Sequence, residues 1–364
     1  MELYIKTLFS NTSIKIKIEQ NTIIKFIIFF FIIDYMIKYI IIVRRFMKKI
    51  LKENLLFILI ILCMFLILNI KLPYYVSAPG GTINVLERLG DSKTNGSLNM
   101  LYVTEYDGTV LSLVMGKIIK SWDVSKIENQ QLSNETLDDI KLRNKVMLDN
   151  SIQNAIFVAY NYMGKDINIT KSNNIVIGVT SENELKIGDK LIKCDGNEIN
   201  DILDIKKVVK NKNVGDYVNF EVLRDDVLIE ANLKVDYNHL LGIAMVTNYE
   251  YELSDDIDIK FKNSEGGSSG GLMLSLAIYQ EKSGIDIVKG RKIAGTGTID
   301  IDGNVGEIDG IKYKIIGANN DKMDIVLVPG ANYEEAKKVV EDNNYKLKLV
   351  KINTFEEAID YLSK

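Results

Sequence analysis

Glu265-Gly266-Gly267-Ser268-Ser269-Gly270-Gly271-Leu272-Met273 decides how the rest of this sequence is read. Glycines and serines are what a tight passage from extended chain into a helix requires, and Leu274, Leu276, Ala277 and Ile278 continue it as a buried helix. A hydroxyl at that passage lies beside unpaired backbone N–H groups and the positive end of the helix dipole, the groups that stabilise an oxyanion. Taken alone, the same residues also describe an ordinary capped helix start. The chain has a single histidine, His239, which nearly excludes a serine, histidine and carboxylate triad by inventory and leaves a Ser-Lys dyad open.

A lysine stands in a second glycine-punctuated stretch, Gly303-Asn304-Val305-Gly306-Glu307-Ile308-Asp309-Gly310-Ile311-Lys312-Tyr313-Lys314. If Gly310 opens a helix, then at about 100° per residue Ile311, Ile315 and Ile316 define an apolar stripe, with Lys312 about 50° from its centre and Lys314 roughly 110° away. Lys312 is therefore expected to be desolvated and Lys314 solvated. Desolvation is what a catalytic amine needs, since its reference pKa of about 10.4 has to fall to roughly 7 to 8.

Together the two stretches resemble the proteolytic domain of the Lon family, whose serine sits in a Gly-Pro-Ser-Ala-Gly turn and whose lysine sits in a Gly-Gly-Leu-Lys-Glu-Lys segment. Residues Gly266-Gly267 and Gly271-Leu272-Met273 match that pattern, so the resemblance implies Ser269 as nucleophile, with Gly267, Ser268 and Gly270 forming the turn and its oxyanion site, and Lys312 as base. Ser268 replaces the usual proline and Gly270 the usual alanine. Gly297-Thr298-Ile299 and Val326-Leu327-Val328-Pro329 fall where the family has strands, so the likeness covers about residues 240–364.

Upstream, Asn174 to Val179 reads as a strand. Leu185-Lys186-Ile187-Gly188-Asp189-Lys190-Leu191-Ile192-Lys193-Cys194-Asp195-Gly196-Asn197 alternates apolar residues around Gly-Asp and Asp-Gly turns, as short strands joined by tight turns do. A short helix near Asp201–Lys210 and a strand at Val218–Leu223 follow. The segment 170–236 resembles a PDZ domain, which implies acceptance of an extended peptide on a sheet edge; no peptide-binding residue is assigned.

Leu55 to Ile70 is free of charge, and only Asn69 in it is not apolar. With snorkelling Lys52 and Lys71 it is expected to form a membrane anchor over residues 53–72. Arg44, Arg45, Lys48, Lys49 and Lys52 on its N-terminal side orient it with the larger C-terminal part extracytoplasmic. Residues 1–46 read as an upstream extension of the reading frame or as an additional membrane segment, in which Asp34 and Lys38 pair at i, i+4. Residues 73–165 are left as a β-rich and helical connecting region. Within it, Tyr74 to Gly81 and Met147 to Tyr162 resemble the flanks of bacterial membrane-anchored PDZ-Lon proteases, whereas Lys117 to Ser121 and Trp122 offer no chemistry and read as scaffold.

A net charge of −4 and the lack of a Walker segment argue against nucleic-acid and nucleotide partners. Two cysteines, Cys63 in the apolar run and Cys194 in the hairpin, and one histidine make a disulfide or zinc site unexpected, and no cofactor or metal is expected. The reading is thus an α/β (α+β) Lon-type proteolytic domain preceded by a β-rich PDZ-like domain and an N-terminal transmembrane helix. Its expected activity is ATP-independent endopeptidase cleavage of protein or peptide substrates. The alternative is a non-catalytic, membrane-tethered peptide-binding scaffold. A phosphate site at Gly266–Gly271 lacks the Lys-Ser/Thr ending it would need.

Overall fold

The computed structural model describes residues 33–90, 94–126, 135–180, 184–255 and 257–364, and the chain divides into two units, Met1–Ile70 and Lys71–Lys364. In the first, α1 (Ile33–Glu53) and α2 (Leu55–Leu68) are bent by 72° at their junction. Asn54 stands at the break and Asn69 after the last turn, each donating from its side-chain amide to the carbonyl four residues back, Ile50 and Phe65. Asp34 and Lys38 pair at 2.5 Å as expected.

The anchor expected over residues 53–72 is not one helix of that length. α2 has 14 residues, about 21 Å at the usual rise, against the roughly 30 Å of a hydrocarbon core. The charge-free run stops short because Asn69 ends the helix and strand begins at Lys71. Among the described residues no single helix is long and apolar enough to cross a membrane, although α1 and α2 together meet that test. Residues 1–32 of the expected extension lie outside the described residues.

The second unit runs β1 (Lys71–Asn84), α3 (Val85–Arg88), β2 (Ser97–Thr109), α4 (Val110–Ile118), β3 (Asp123–Lys126), α5 (Leu137–Tyr162), β4 (Ile167–Val179), β5 (Lys190–Cys194), β6 (Asn197–Glu198), α6 (Ile202–Lys210), β7 (Tyr217–Arg224), β8 (Val227–Lys234) and β9 (Ile243–Leu253). It continues with α7 (Gly271–Ser283), β10 (Lys292–Gly295), β11 (Thr298–Ile299), β12 (Val305–Gly306), α8 (Ile311–Asn320), β13 (Ile325–Pro329), α9 (Tyr333–Asp342), β14 (Lys348–Ile352) and α10 (Phe355–Ser363).

One sheet has the order β14-β13-β10-β2-β1-β3, parallel from β14 to β2 and antiparallel beyond. Alternation along its strands fills both faces. Leu98, Ile293, Ile325 and Leu327 point to a core shared with α5, α7 and α10, while Leu101, Ala294, Val326 and Val328 point to one shared with α8 and α9. α7 is buried on every side from Gly271 to Gln280. Its Leu272, Met273, Leu274, Leu276 and Ile278 are each worth about 1.5–3 kcal/mol in burial, so the residues leading into α7 hang from a helix sunk in the core.

The segment 73–165 is therefore more than a connection. β1, β2 and β3 supply three of the six strands of this sheet, and α5 packs against α7. The second sheet, β8-β7-β5-β4-β9 with β6 on β5, is inserted in sequence between α5 and α7. β4, the β5–β6 hairpin, α6 and β7 lie where a strand, a hairpin, a short helix and a strand were expected, whereas β9, in the stretch from residue 240 read as proteolytic domain, pairs with β4 in this sheet. Asp195 (φ 46°) and Gly196 (φ 77°) form the two positive-φ residues of the β5–β6 turn. The Asp189 carboxylate accepts from the Lys186 N–H at 2.7 Å and forms a buried ion pair with Arg224 of β7, with Nε and Nη2 at 2.8 and 2.7 Å. The Gly-Asp turn is thereby tied to the sheet it borders.

Candidate active site

Ser268 and Ser269 lie in the turn that opens α7. Gly267 adopts φ 89°, which favours glycine, and its N–H donates to the Asn144 carbonyl on α5 at 2.8 Å. Each serine carbonyl then takes one hydroxyl and one amide. Ser268 O accepts from Ser151 Oγ (3.1 Å) and Gly271 N (3.3 Å); Ser269 O accepts from Thr296 Oγ1 (3.0 Å) and Gly297 N (2.8 Å).

A trans peptide directs its N–H opposite to its carbonyl, and among the described residues no peptide is cis. Fixing the two carbonyls therefore aims the N–H groups of Ser269 and Gly270 to the other side. Among the described residues neither amide is engaged by another group of the chain. Two adjacent, pre-oriented donors beside a serine hydroxyl are the geometry of an oxyanion site. Gly271 is required by close approach, since a Cβ there would lie 2.7 Å from Ile299 Cγ2 and 2.9 Å from Ser151 Oγ.

The two lysines of α8 are placed the other way round from the sequence expectation. Lys314 is 3% exposed and its Nζ donates to Thr296 Oγ1 at 3.1 Å, whereas Lys312 points outward and its Nζ pairs with Asp123 of β3 at 2.5 Å. The Tyr313 hydroxyl also donates to Asp123, at 2.7 Å. The stripe that α8 buries comprises Ile311, Lys314, Ile315 and Ala318, at i, i+3, i+4 and i+7. Weighting Ile316 had rotated the expected stripe away from Lys314. The small residues correct it: α8 lies so close to β1 that a Cβ on Gly317 would be 3.0 Å from the Gly80 carbonyl oxygen.

Burial pushes the Lys314 amine down to about 8 from 10.5, and the nearby Asp309 charge partly opposes that fall. On the order of a tenth of this amine is thus unprotonated at pH 7, and about half at pH 8, and the neutral form is the one that can accept a proton. Thr296 bridges it to the serine turn, accepting from Lys314 and donating to Ser269 O.

Of the residues singled out in the sequence, Gly267, Ser268, Ser269 and Gly270 form one turn, and Lys312 lies outside it. Thr296 and Ser151 were missed. A hydroxyl between Gly295 and Gly297 at the end of a core strand was a local sign of Thr296; Ser151 carried none, being one polar residue on a long helix. Beside Ser268 opens a cleft of about 350 Å³ walled by Met147, Asn154, Val246, Ile299 and Val305.

Residues 245–363 match the Lon protease (S16) C-terminal proteolytic domain, and residues 162–235 match the PDZ domain. The fold and the serine turn thus define a Lon-type proteolytic domain joined to a PDZ domain, the organisation of a PDZ-Lon protease. The Lon protease of Neorickettsia sennetsu is 26% identical over 98 residues, 27% of this chain and 12% of that protein. That of Campylobacter jejuni is 31% identical over 96 residues (26% and 12%), and that of Lachnoclostridium phytofermentans 26% over 140 residues (37% and 17%). The chain therefore spans less than a fifth of the length of these relatives. Among solved structures, the PDZ domain of an SdrC-like protein from Listeria monocytogenes is similar at 24% identity and a TM-score of 0.20, over 22% of this chain and 93% of that one. A protein of Geobacillus thermodenitrificans is similar at 31% identity and a TM-score of 0.17, over 19% and 86%.

Proposed function

We propose that this chain is an ATP-independent serine endopeptidase in which Ser269 is the nucleophile and Lys314, rather than Lys312, is the general base. The observation that carries this reading is the buried Lys314 amine, held through Thr296 against the carbonyl of Ser269. The neutral amine takes the Ser269 hydroxyl proton as Oγ attacks the peptide carbonyl. The oxygen that gains charge is held by the N–H groups of Ser269 and Gly270. Collapse of the tetrahedral species passes the proton from Lys314 to the departing amine and leaves an acyl-enzyme, which water hydrolyses by the same route. Lys312, exposed and paired with Asp123, has neither the desolvation nor the location for this work.

The inserted PDZ domain supplies recognition in this reading. β9 ends its sheet, so an extended peptide can add along its outer edge near Ile243 and Met245. Farther along that strand, α5 occupies the Thr247 carbonyl and both backbone groups of Tyr249. The bent pair α1 and α2, with the cations Arg44, Arg45, Lys48, Lys49 and Lys52 ahead of its charge-free part, anchors the chain and leaves the catalytic unit on the extracytoplasmic side.

Labelling of the purified full chain with a fluorophosphonate, followed by mass spectrometry, tests the chemistry. The expected adduct is on Ser269, absent from Ser269→Ala and strongly slowed in Lys314→Met. An adduct elsewhere, or full labelling of Lys314→Met, would remove this assignment.

A further inference from the structure

α4 carries its apolar stripe on the wrong side for a globular protein. Leu111, Val114, Met115 and Ile118, spaced i, i+3, i+4 and i+7, are 46%, 46%, 36% and 69% exposed, and α4 has no buried residue. That spacing ordinarily marks the face a helix turns to its core. Here the opposite face meets the sheet: a Cβ on Gly116 would lie 2.6 Å from Val124 Cγ2 and 3.4 Å from Val76 Cγ1. The helix is nonetheless well specified. Thr109 and Ser112 form a capping box at its start.

Three further features surround the stripe. Lys117 and Lys120 stand exposed along the same segment. Trp122, the only tryptophan, stacks on Tyr106 with ring centroids 5.2 Å apart and planes at 19°. Lys71, which follows Asn69 and Ile70 after the end of α2, pairs in register with Thr109, the N-cap of α4. The Asp107 carboxylate beside it is neutralised by Lys71 at 2.9 Å. The stripe thus begins beside Lys71, which follows the charge-free run in sequence.

We infer that the outer face of α4, with Tyr106 and Trp122, is an interfacial surface that rests on the lipid bilayer in which α2 is anchored. An apolar stripe margined by lysines and finished by an aromatic pair is the composition of a helix lying at the headgroup boundary, with lysines toward anionic headgroups and Trp and Tyr at the interface. The inference rests on the anchoring proposed above and adds a second, non-spanning contact to it.

Because Trp122 is the sole tryptophan, the native chain carries its own probe. The full chain is reconstituted into vesicles of phosphatidylcholine and anionic phosphatidylglycerol, with acyl chains brominated near the headgroup or unbrominated, and followed by flotation and tryptophan emission. The expected result is co-flotation with loss of most Trp122 emission in brominated vesicles. In the double variant Leu111→Asp, Ile118→Asp, flotation and peptide hydrolysis should persist while the quenching is lost. A floated chain whose Trp122 is unquenched overturns the inference and leaves the anchor standing, as does cross-linking that places a second copy on α4. Quenching unchanged in the double variant overturns the role of the stripe. A chain that fails to float refutes the anchor and this inference with it.

Discussion

Replacing Lys314 by methionine should abolish proteolysis and at the same time make the protein more stable near neutral pH. The amine titrates at about 8 in the folded chain against 10.5 as its ordinary value, a difference of about 2.5 units and hence about 3 kcal/mol at 1.36 kcal/mol per unit. A lysine whose folded pKa is depressed costs stability at and below that pKa, and the cost disappears as pH rises through the unfolded value. Lys314 therefore destabilises the fold by about 3 kcal/mol at pH 7, and loss of its hydrogen bond to Thr296 returns about 1 kcal/mol. A net gain of about 2 kcal/mol is expected for Lys314→Met, whose chain fills most of the same space. Urea unfolding followed by the emission of Trp122, which precedes β3 of the catalytic sheet, reads it directly. The gain should shrink between pH 8 and 10.5. Lys312→Met loses only a half-exposed pair with Asp123, worth at most about 1 kcal/mol, and should stay active. A Lys314→Met protein less stable than wild type at every pH, or an inactive Lys312→Met, would refute the reasoning.

Ser269→Ala should remove turnover of a peptide substrate by several orders of magnitude, as loss of a nucleophile does, whereas Ser268→Ala, which keeps the pinned backbone carbonyl, should retain most of it; the opposite outcome would shift the nucleophile by one residue. Ser151→Ala removes one of the two donors on Ser268 O, about 1 kcal/mol, so kcat should fall roughly fivefold with KM unchanged, and a rise in KM alone would deny it a positioning role. The acidic limb of kcat/KM should have its midpoint near 8, because only the neutral amine is a base. Asp309→Asn removes the charge that opposes the fall in the Lys314 pKa, so that limb should move to lower pH, and an upward shift would contradict the assignment.

What was legible in the sequence was local. The Leu185–Asn197 hairpin announced itself because Gly188, Asp195 and Gly196 need positive φ values that their residue types adopt readily. The serine turn was legible for a similar reason, since glycine density at a helix start is a backbone requirement. The lysine was misread because a helical stripe was judged by its largest residues. Ala318 and Gly317 contribute little area yet determine how closely α8 approaches β1, and that approach selects Lys314. The role of residues 71–126 was hidden for a different reason. Their strand β2 pairs with β10 across the intervening PDZ insertion, with Lys292 to Gly295 opposite Ser97 to Met100, and no local pattern records a pairing at that separation.

The insertion point explains how one chain combines the two folds without a loose joint. α5 leaves the catalytic core just before the PDZ segment, and β9 returns from it just before α7. One stretch of α5 addresses both sides. Asn150 donates to the Thr247 carbonyl, and Gln153 both donates to Tyr249 O and accepts from Tyr249 N, fixing β9. Between them Ser151 donates to the Ser268 carbonyl, and one residue beyond Gln153, Asn154 donates to the Ile299 carbonyl of β11. Amide side chains at spacings of three and four lie on one helical face, so four polar residues on α5 hold the edge strand of one sheet and the serine turn of the other in a common frame. A one-residue slip of β9 against α5 would present Asn248 where Gln153 now meets Tyr249 and reverse the faces of the strand. Registration of the PDZ sheet and alignment of the serine turn are therefore set by neighbouring side chains of one helix.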